Sequence, residues 1–393
     1  MFLLAISPIF LFPPLGRHIM IAIVLLPLVW ACAVMTTRQA IPATPFDGTL
    51  ALILIMVLVS LWATYDVSFS AGKVLGVVFG IAFYFAIVRH LSSASALKTA
   101  LNVFVLAGVG VALVGILGTN WIWKVSLIGS ITAHLPALIR GIPGQAEGFQ
   151  PNAIAGALVM FVPLQIALVM TNRGLDRLLH CGALAFTGGT VVLTQSRNGW
   201  LSLGVALFVW MLWYGRRSRG IAIALIAIGL VTAAFSLSRI ESLVGGGLRD
   251  DLAGRLKLWS RAIDAIADFP LTGMGMNTFR RVMPVLYPAF STSSDADVAH
   301  AHNHFLQAAL DLGIPGLIAY LAIWLGIADL LMAAERRATD RGGRLIASGF
   351  GAGMLAYFLF GTADAIALGA KLGIFFWIAL ALITAMHKVV KPA

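Results

Sequence analysis

The run His300-Ala301-His302-Asn303-His304 places three imidazoles within five residues. An imidazole titrates near neutral pH, so it can accept a proton from an attacking hydroxyl or ligate a metal. Asp295 and Asp297 lie just upstream and keep an Asp/His metal site open as one reading. In an extended chain His300, His302 and His304 would share one face. In a helix His300 and His304 would pair and His302 would point away. Leu306–Asp311 and the breaker Gly313-Ile314-Pro315-Gly316 follow. We therefore expect a short helix to begin at His302 and a longer one to restart near Pro315. That geometry leaves His302 alone, which suits a general base better than a ligand, so no metal is expected.

Cations supply the other half of such chemistry. Arg197, in QSRNGWL, stands between two apolar runs. An arginine there either snorkels to an interface or holds an anion. In 251–268 the residues Leu252, Leu256, Trp259, Ile263 and Ile266 form a helical stripe with Lys257 and Arg261 opposite. Arg255 lies beside the stripe, angled toward the buried or membrane side, so this reads as an amphipathic, interfacial helix. A cation–π contact with Trp259 is the structural alternative. Lys73 at a helix end, Arg140 before Gly-Ile-Pro-Gly, and Glu147 are weaker candidates.

These residues need elements to hold them, and the composition says which kind. The 393 residues are 60% hydrophobic and 11% charged. A water-soluble domain carries about 25% charged residues, so the chain reads as an all-α integral membrane protein. Apolar runs at 2–16, 19–35, 49–65, 73–89, 98–118, 152–171, 177–195, 198–214, 220–237, 304–333, 344–363 and 368–387 give about twelve spans. The first is short, holds Pro8, Pro13 and Pro14, and lacks the basic start of a signal peptide.

Fourteen Lys and Arg fall in short loops on one side, from Arg38 to Lys391. The short loops opposite hold only Arg17, Lys73, Arg197 and Lys371. The positive-inside rule then puts both termini in the cytoplasm. The net charge of +11 is a topology signal, so a nucleic-acid partner is not expected. Two long outer segments remain. One is 119–151, and the other, 238–303, carries seven Lys/Arg and seven Asp/Glu with helical periodicity. The expected division is 1–237 with helices 1–9, 238–303 as a partly helical periplasmic loop between helices 9 and 10, and 304–393 with helices 10–12. Cys32 and Cys181 sit in separate apolar runs and read as buried, inert thiols.

The spacing His302-Asn303, nine residues, Gly313, two residues, Gly316 resembles the signature of the O-antigen ligase family. Arg197 with Leu201 is similar to a second motif of that family. GRLKLWSRAIDAIADFPLTGMG resembles the periplasmic-loop region that carries a family arginine, and GFQPNAIAGAL is a further similar stretch. The resemblance spans roughly 140–325. It implies a GT-C-like membrane glycosyltransferase without cofactor. Its donor would be a glycan on undecaprenyl diphosphate and its acceptor lipid A–core, at the periplasmic face of a bacterial inner membrane.

In that chemistry His302 would take the acceptor's proton. Arg197 and Arg255 would hold the diphosphate, with Lys73 and Arg140 as lesser contributors. The alternatives are an O-antigen or exopolysaccharide polymerase, an oligosaccharyltransferase acting on protein, and a non-enzymatic flippase of lipid-linked sugars. A transporter would be expected to place ionisable groups near the bilayer midplane. Here the charges gather at helix ends and in outer loops, which disfavours the flippase.

Overall fold

A computed structural model describes residues 42–121, 124–135, 148–215, 248–287 and 298–389, together with 35, 138 and 220. The regular elements among these residues are all helices, and no strand occurs among them. The helices are α1 (Asp47–Ala63), α2 (Val67–His90), α3 (Ala94–Gly118), α4 (Ser126–Thr132), α5 (Pro151–Leu158), α6 (Phe161–Thr171) and α7 (Gly174–Leu193). They continue with α8 (Arg197–Tyr214), α9 (Leu248–Asp268), α10 (Phe279–Leu286), α11 (His304–Arg337), α12 (Arg341–Ala363) and α13 (Ile374–Val389).

Among the described residues six helical stretches are long and apolar enough to cross a membrane: α2, α3, Pro151–Thr171, α11, α12 and Lys371–Val389. α1 is a shorter apolar helix, and α7 and α8 cover the expected runs 177–195 and 198–214. The runs expected at 2–16, 19–35 and 220–237 lie outside the described residues, save residues 35 and 220, as do Arg140, Glu147, Asp295 and Asp297.

Polar side chains start the helices. Asp66 accepts from the amides of Ser68 and Phe69, Ser93 from Ala96, and Asp340 from Gly342 and Gly343. Each satisfies amides that have no partner within the helix. Most turns between successive spans are short, so neighbouring spans run antiparallel, with α5 and α6 together forming one of them. One end of the bundle therefore collects Arg89, Lys98, Arg173, Arg336, Arg337, Arg341 and Lys388. The other end collects the start of α8, the start of α11 and the finish of α12. The core is aromatic: Tyr84, Tyr320, Phe350, Tyr357, Phe360, Phe376 and Trp377 are all buried between α2, α11, α12 and α13.

The break expected near Gly313 is present. Gly313 has φ +67°, ψ 179° inside α11, a conformation open mainly to glycine. In an unbroken helix the Ile314 amide would bond the Leu310 carbonyl. Instead Ile314 donates to Pro270 at 2.7 Å, and Leu310 accepts from Met274 at 2.7 Å. In a membrane-embedded helix such freed groups need partners, and the turn after α9 supplies both. The sequence break in α11 thus fixes where α9 docks.

Candidate functional site

The site forms where α12 ends. The last carbonyls of a helix have no backbone partner within it; in α12 that of Phe360 still accepts from the Asp364 amide at 3.0 Å, and those beyond it do not. Side chains from three other elements bond the carbonyls of this last turn. Asn198, one residue after Arg197 at the start of α8, donates to the Phe360 carbonyl at 2.8 Å. Asn303 donates to Thr362 at 2.9 Å. The Arg255 guanidinium donates to Ala363. A cation at a helix C-terminus also meets the negative end of the dipole. Arg197, Arg255 and His302, far apart in sequence, are brought to one helix end by these bonds.

The next residue, Asp364, carries the site's carboxylate. Its side chain is 5% exposed, and its Oδ1 lies 3.0 Å from His302 Nδ1 and 3.9 Å from His300 Nε2. Burial pushes the Asp364 carboxyl up in pKa, but the His302 hydrogen bond, the two imidazoles and the Ala365 amide outweigh it, and the net direction is down. Asp364 is therefore an anion at neutral pH and accepts. His302 Nδ1 then carries the proton, and its Nε2 keeps a lone pair. His302 is 34% exposed on its side chain, so that lone pair is reachable from outside.

The histidine turn is held from both sides. Buried Ala301 donates its amide to Gln307 Oε1 at 3.0 Å, and its carbonyl accepts from Trp259 Nε1 at 3.0 Å. His302 has φ +47°, a left-handed conformation that costs a non-glycine residue roughly 1–2 kcal/mol. Strain of this kind persists where surrounding contacts over-determine the backbone. Asn303 then caps α11 by accepting from Phe305 and Leu306.

Three expectations from the sequence are corrected here. The helix begins at His304, behind Asn303, and not at His302. His302 does not stand alone: its ring packs on His300 at 4.5 Å between centroids, and both face Asp364. His304 does not pair with His300. It is 3% exposed, its Nδ1 meets Tyr320 Oη at 3.3 Å, and Phe305, Trp324, Tyr357 and Phe358 surround it. The reason is that the chain enters α11 through an N-cap, so the three histidines obey neither strand nor helix periodicity.

Arg255 does turn inward. α9 buries Leu258, Ala262 and Ala265 beside it, while Leu252, Leu256 and Ile263 are exposed, as an interfacial helix requires. Trp259 serves the histidine turn, and Arg255 bonds the α12 carbonyl where a contact with Trp259 had been the alternative. Arg261 pairs with Asp264 at 3.0 Å on the outer face. Cys181 is free and only half-buried.

Lys73 lies within electrostatic reach of His300, together with Arg280, which the sequence reading did not single out. Burial lowers the His300 pKa to about 4; Asp364 opposes this, while His302, Lys73 and Arg280 add to it. Asp364, Asn198 and Gln307 were also missed, as was the bond by which Trp259 holds the histidine turn. Asp364 had one cue, a lone acid in an apolar hairpin between two spans.

The segment 182–321 matches the model of the family described as O-Antigen ligase. That segment is similar to the O-antigen ligase family. The match includes Arg197, Arg255, the histidine turn and Gly313–Gly316, whereas Lys73 and the α12 finish with Asp364 lie outside it. A comparison with curated proteins found no match. A chain with six helices apolar enough to cross a membrane thus holds a segment similar to the O-antigen ligase family, whose members are glycosyltransferase-like ligases and polymerases.

Proposed function

We propose that this protein is an inverting, metal-independent glycosyltransferase. It moves O-antigen glycan from undecaprenyl diphosphate to lipid A–core at the periplasmic face of the inner membrane. The observation that carries this reading is the His302–Asp364 pair, at 3.0 Å, one residue from the carbonyl that holds Arg255. The gathering of cations at the opposite end of the bundle supports placing that end, and both termini, in the cytoplasm.

The acceptor hydroxyl oxygen attacks C1 of the donor sugar. Its proton passes to His302 Nε2 while the bond from C1 to the diphosphate oxygen breaks. Asp364 holds the ring in the tautomer that leaves Nε2 free and stabilises the imidazolium that forms. Undecaprenyl diphosphate departs with the bonding electrons. Arg255 and Arg197 offer bidentate donors for the charge that develops on it, which a point charge matches less well. Lys73 and Arg280 add positive potential on the His300 side. Direct displacement inverts the anomeric centre.

Reconstitution tests the reading. Proteoliposomes with lipid-linked donor should extend lipid A–core when that acceptor is present. Products in which one lipid-linked glycan has been added to another would instead identify a polymerase. Donor that crosses the bilayer without transfer would identify a flippase.

A further inference from the structure

Beyond the proton-accepting role proposed for His302, the same corner of the molecule has the build of a cation site. We propose that His300, His302 and Asp364 bind a zinc-class divalent ion and that its occupancy switches transfer off. The donor atoms His302 Nδ1, His300 Nε2 and Asp364 Oδ1 stand 3.0 and 3.9 Å apart along the two histidine–aspartate contacts, and all ligand atoms of the three residues lie within 4.8 Å of one another. Tetrahedral zinc with bonds of about 2.0–2.2 Å needs neighbouring ligands about 3.4 Å apart. The cluster meets that spacing with small side-chain shifts.

A second observation points the same way. Asp364 Oδ2 is buried and has no hydrogen-bond partner among the described residues. An orphaned carboxylate oxygen carries a desolvation cost, and a cation beside it removes that cost. Two imidazoles and one carboxylate are a ligand set that leaves a fourth position open. The electrostatics also set a limit. Lys73 and Arg280 lie within reach of His300 and oppose a second positive charge there. The site should bind reversibly, more weakly than a structural zinc site.

Switching off follows from the tautomers, and this part rests on the base assignment above. A metal on His302 Nδ1 displaces its proton to Nε2. A ring with Nε2 protonated and Nδ1 ligated has no lone pair for the acceptor's proton. His300 must likewise carry its proton on Nδ1, giving up the 3.3 Å contact from the His302 amide. Removal of the ion restores the original tautomer.

The full chain, purified without a polyhistidine tag, is titrated with cobalt(II) and with zinc against a chromophoric chelator. One ion per chain and a tetrahedral cobalt spectrum are expected. His300→Ala and Asp364→Ala should weaken zinc by at least about tenfold, His134→Ala should bind as wild type, and Arg280→Ala should bind more tightly. Zinc should inhibit wild-type transfer reversibly, and His300→Ala should keep its own metal-free rate when zinc is added. Absence of binding, or wild-type affinity in both His300→Ala and Asp364→Ala, overturns the site. Zinc bound through these residues with transfer unaffected overturns the switch. Full transfer by His302→Ala would sink the base assignment while leaving the binding measurement to stand by itself.

Discussion

His302 and His304 are separated by one residue, and the molecule uses them in opposite ways. His302 stands in a strained turn, a third exposed, against an ionised carboxylate. His304 begins α11 inside a cage of Phe305, Tyr320, Trp324, Tyr357 and Phe358, with Nε2 unpartnered among the described residues. The tightness of the cage is visible at Gly361, where any Cβ would run into the His304 ring. The comparison teaches that the residue type supplies only the potential for acid–base chemistry. Exposure and a charged partner turn it into a base, and their loss turns it into a packing element.

The largest effect should come from His302→Ala. Loss of a base lowers the rate by about 10²–10⁴-fold. Donor binding should survive, because the proton is accepted only in the transition state. Normal transfer by this variant, with His300→Ala or His304→Ala dead, would reverse the comparison. Asp364→Asn comes next. It retains size and an acceptor oxygen but removes the charge, and transfer should fall by roughly ten- to a hundredfold, in kcat more than KM. An unchanged rate would show that His302 works without its partner.

Arg255→Ala should weaken donor binding and rate together, and Arg255→Lys should restore only part of both, lacking the planar fork. Full rescue by lysine would reduce Arg255 to a point charge. On the caged side, His304→Ala should lower the melting temperature and the yield of folded protein while the surviving molecules still transfer. It leaves a cavity in a packed aromatic core. Gly361→Ala should act in the same direction by overpacking. Dead but fully stable His304→Ala protein would make the cage part of the chemistry.

The smallest effect concerns acid. Burial depresses the His300 pKa from 6.5 to about 4. Between those values the unfolded chain binds a proton that the folded chain refuses, so stability falls as pH drops through this window. Asp364, also depressed, adds a loss at still lower pH, below its unfolded value of 3.8. The melting temperature should decline from about pH 6.5 downward, and His300→Ala should flatten the decline. An unaltered profile in the variant would assign the acid sensitivity elsewhere.

The sequence by itself determined the helical membrane character, because few charges and repeated apolar runs leave no soluble alternative. It determined the break at Gly313, because glycine and proline act within one or two residues of their own backbone. It also marked His302, Arg197 and Arg255 as the residues to follow, and periodicity set Arg255 toward the buried or membrane side of its helix without choosing between them. Tertiary structure decided the rest. Asp364 meets His302 across 62 positions, and no local pattern links a hairpin acid to a distant turn. The fates of His300 and His304 depended on where an N-cap began a helix and on which aromatic rings closed around it. Arg255 found its partner in a carbonyl at the end of α12, a group that every residue carries and no sequence pattern reveals. Periodicity and composition act along the chain and can be read from it. Burial, partner choice and the charge state of a carboxylate arise between segments, and only the packed molecule brings them together.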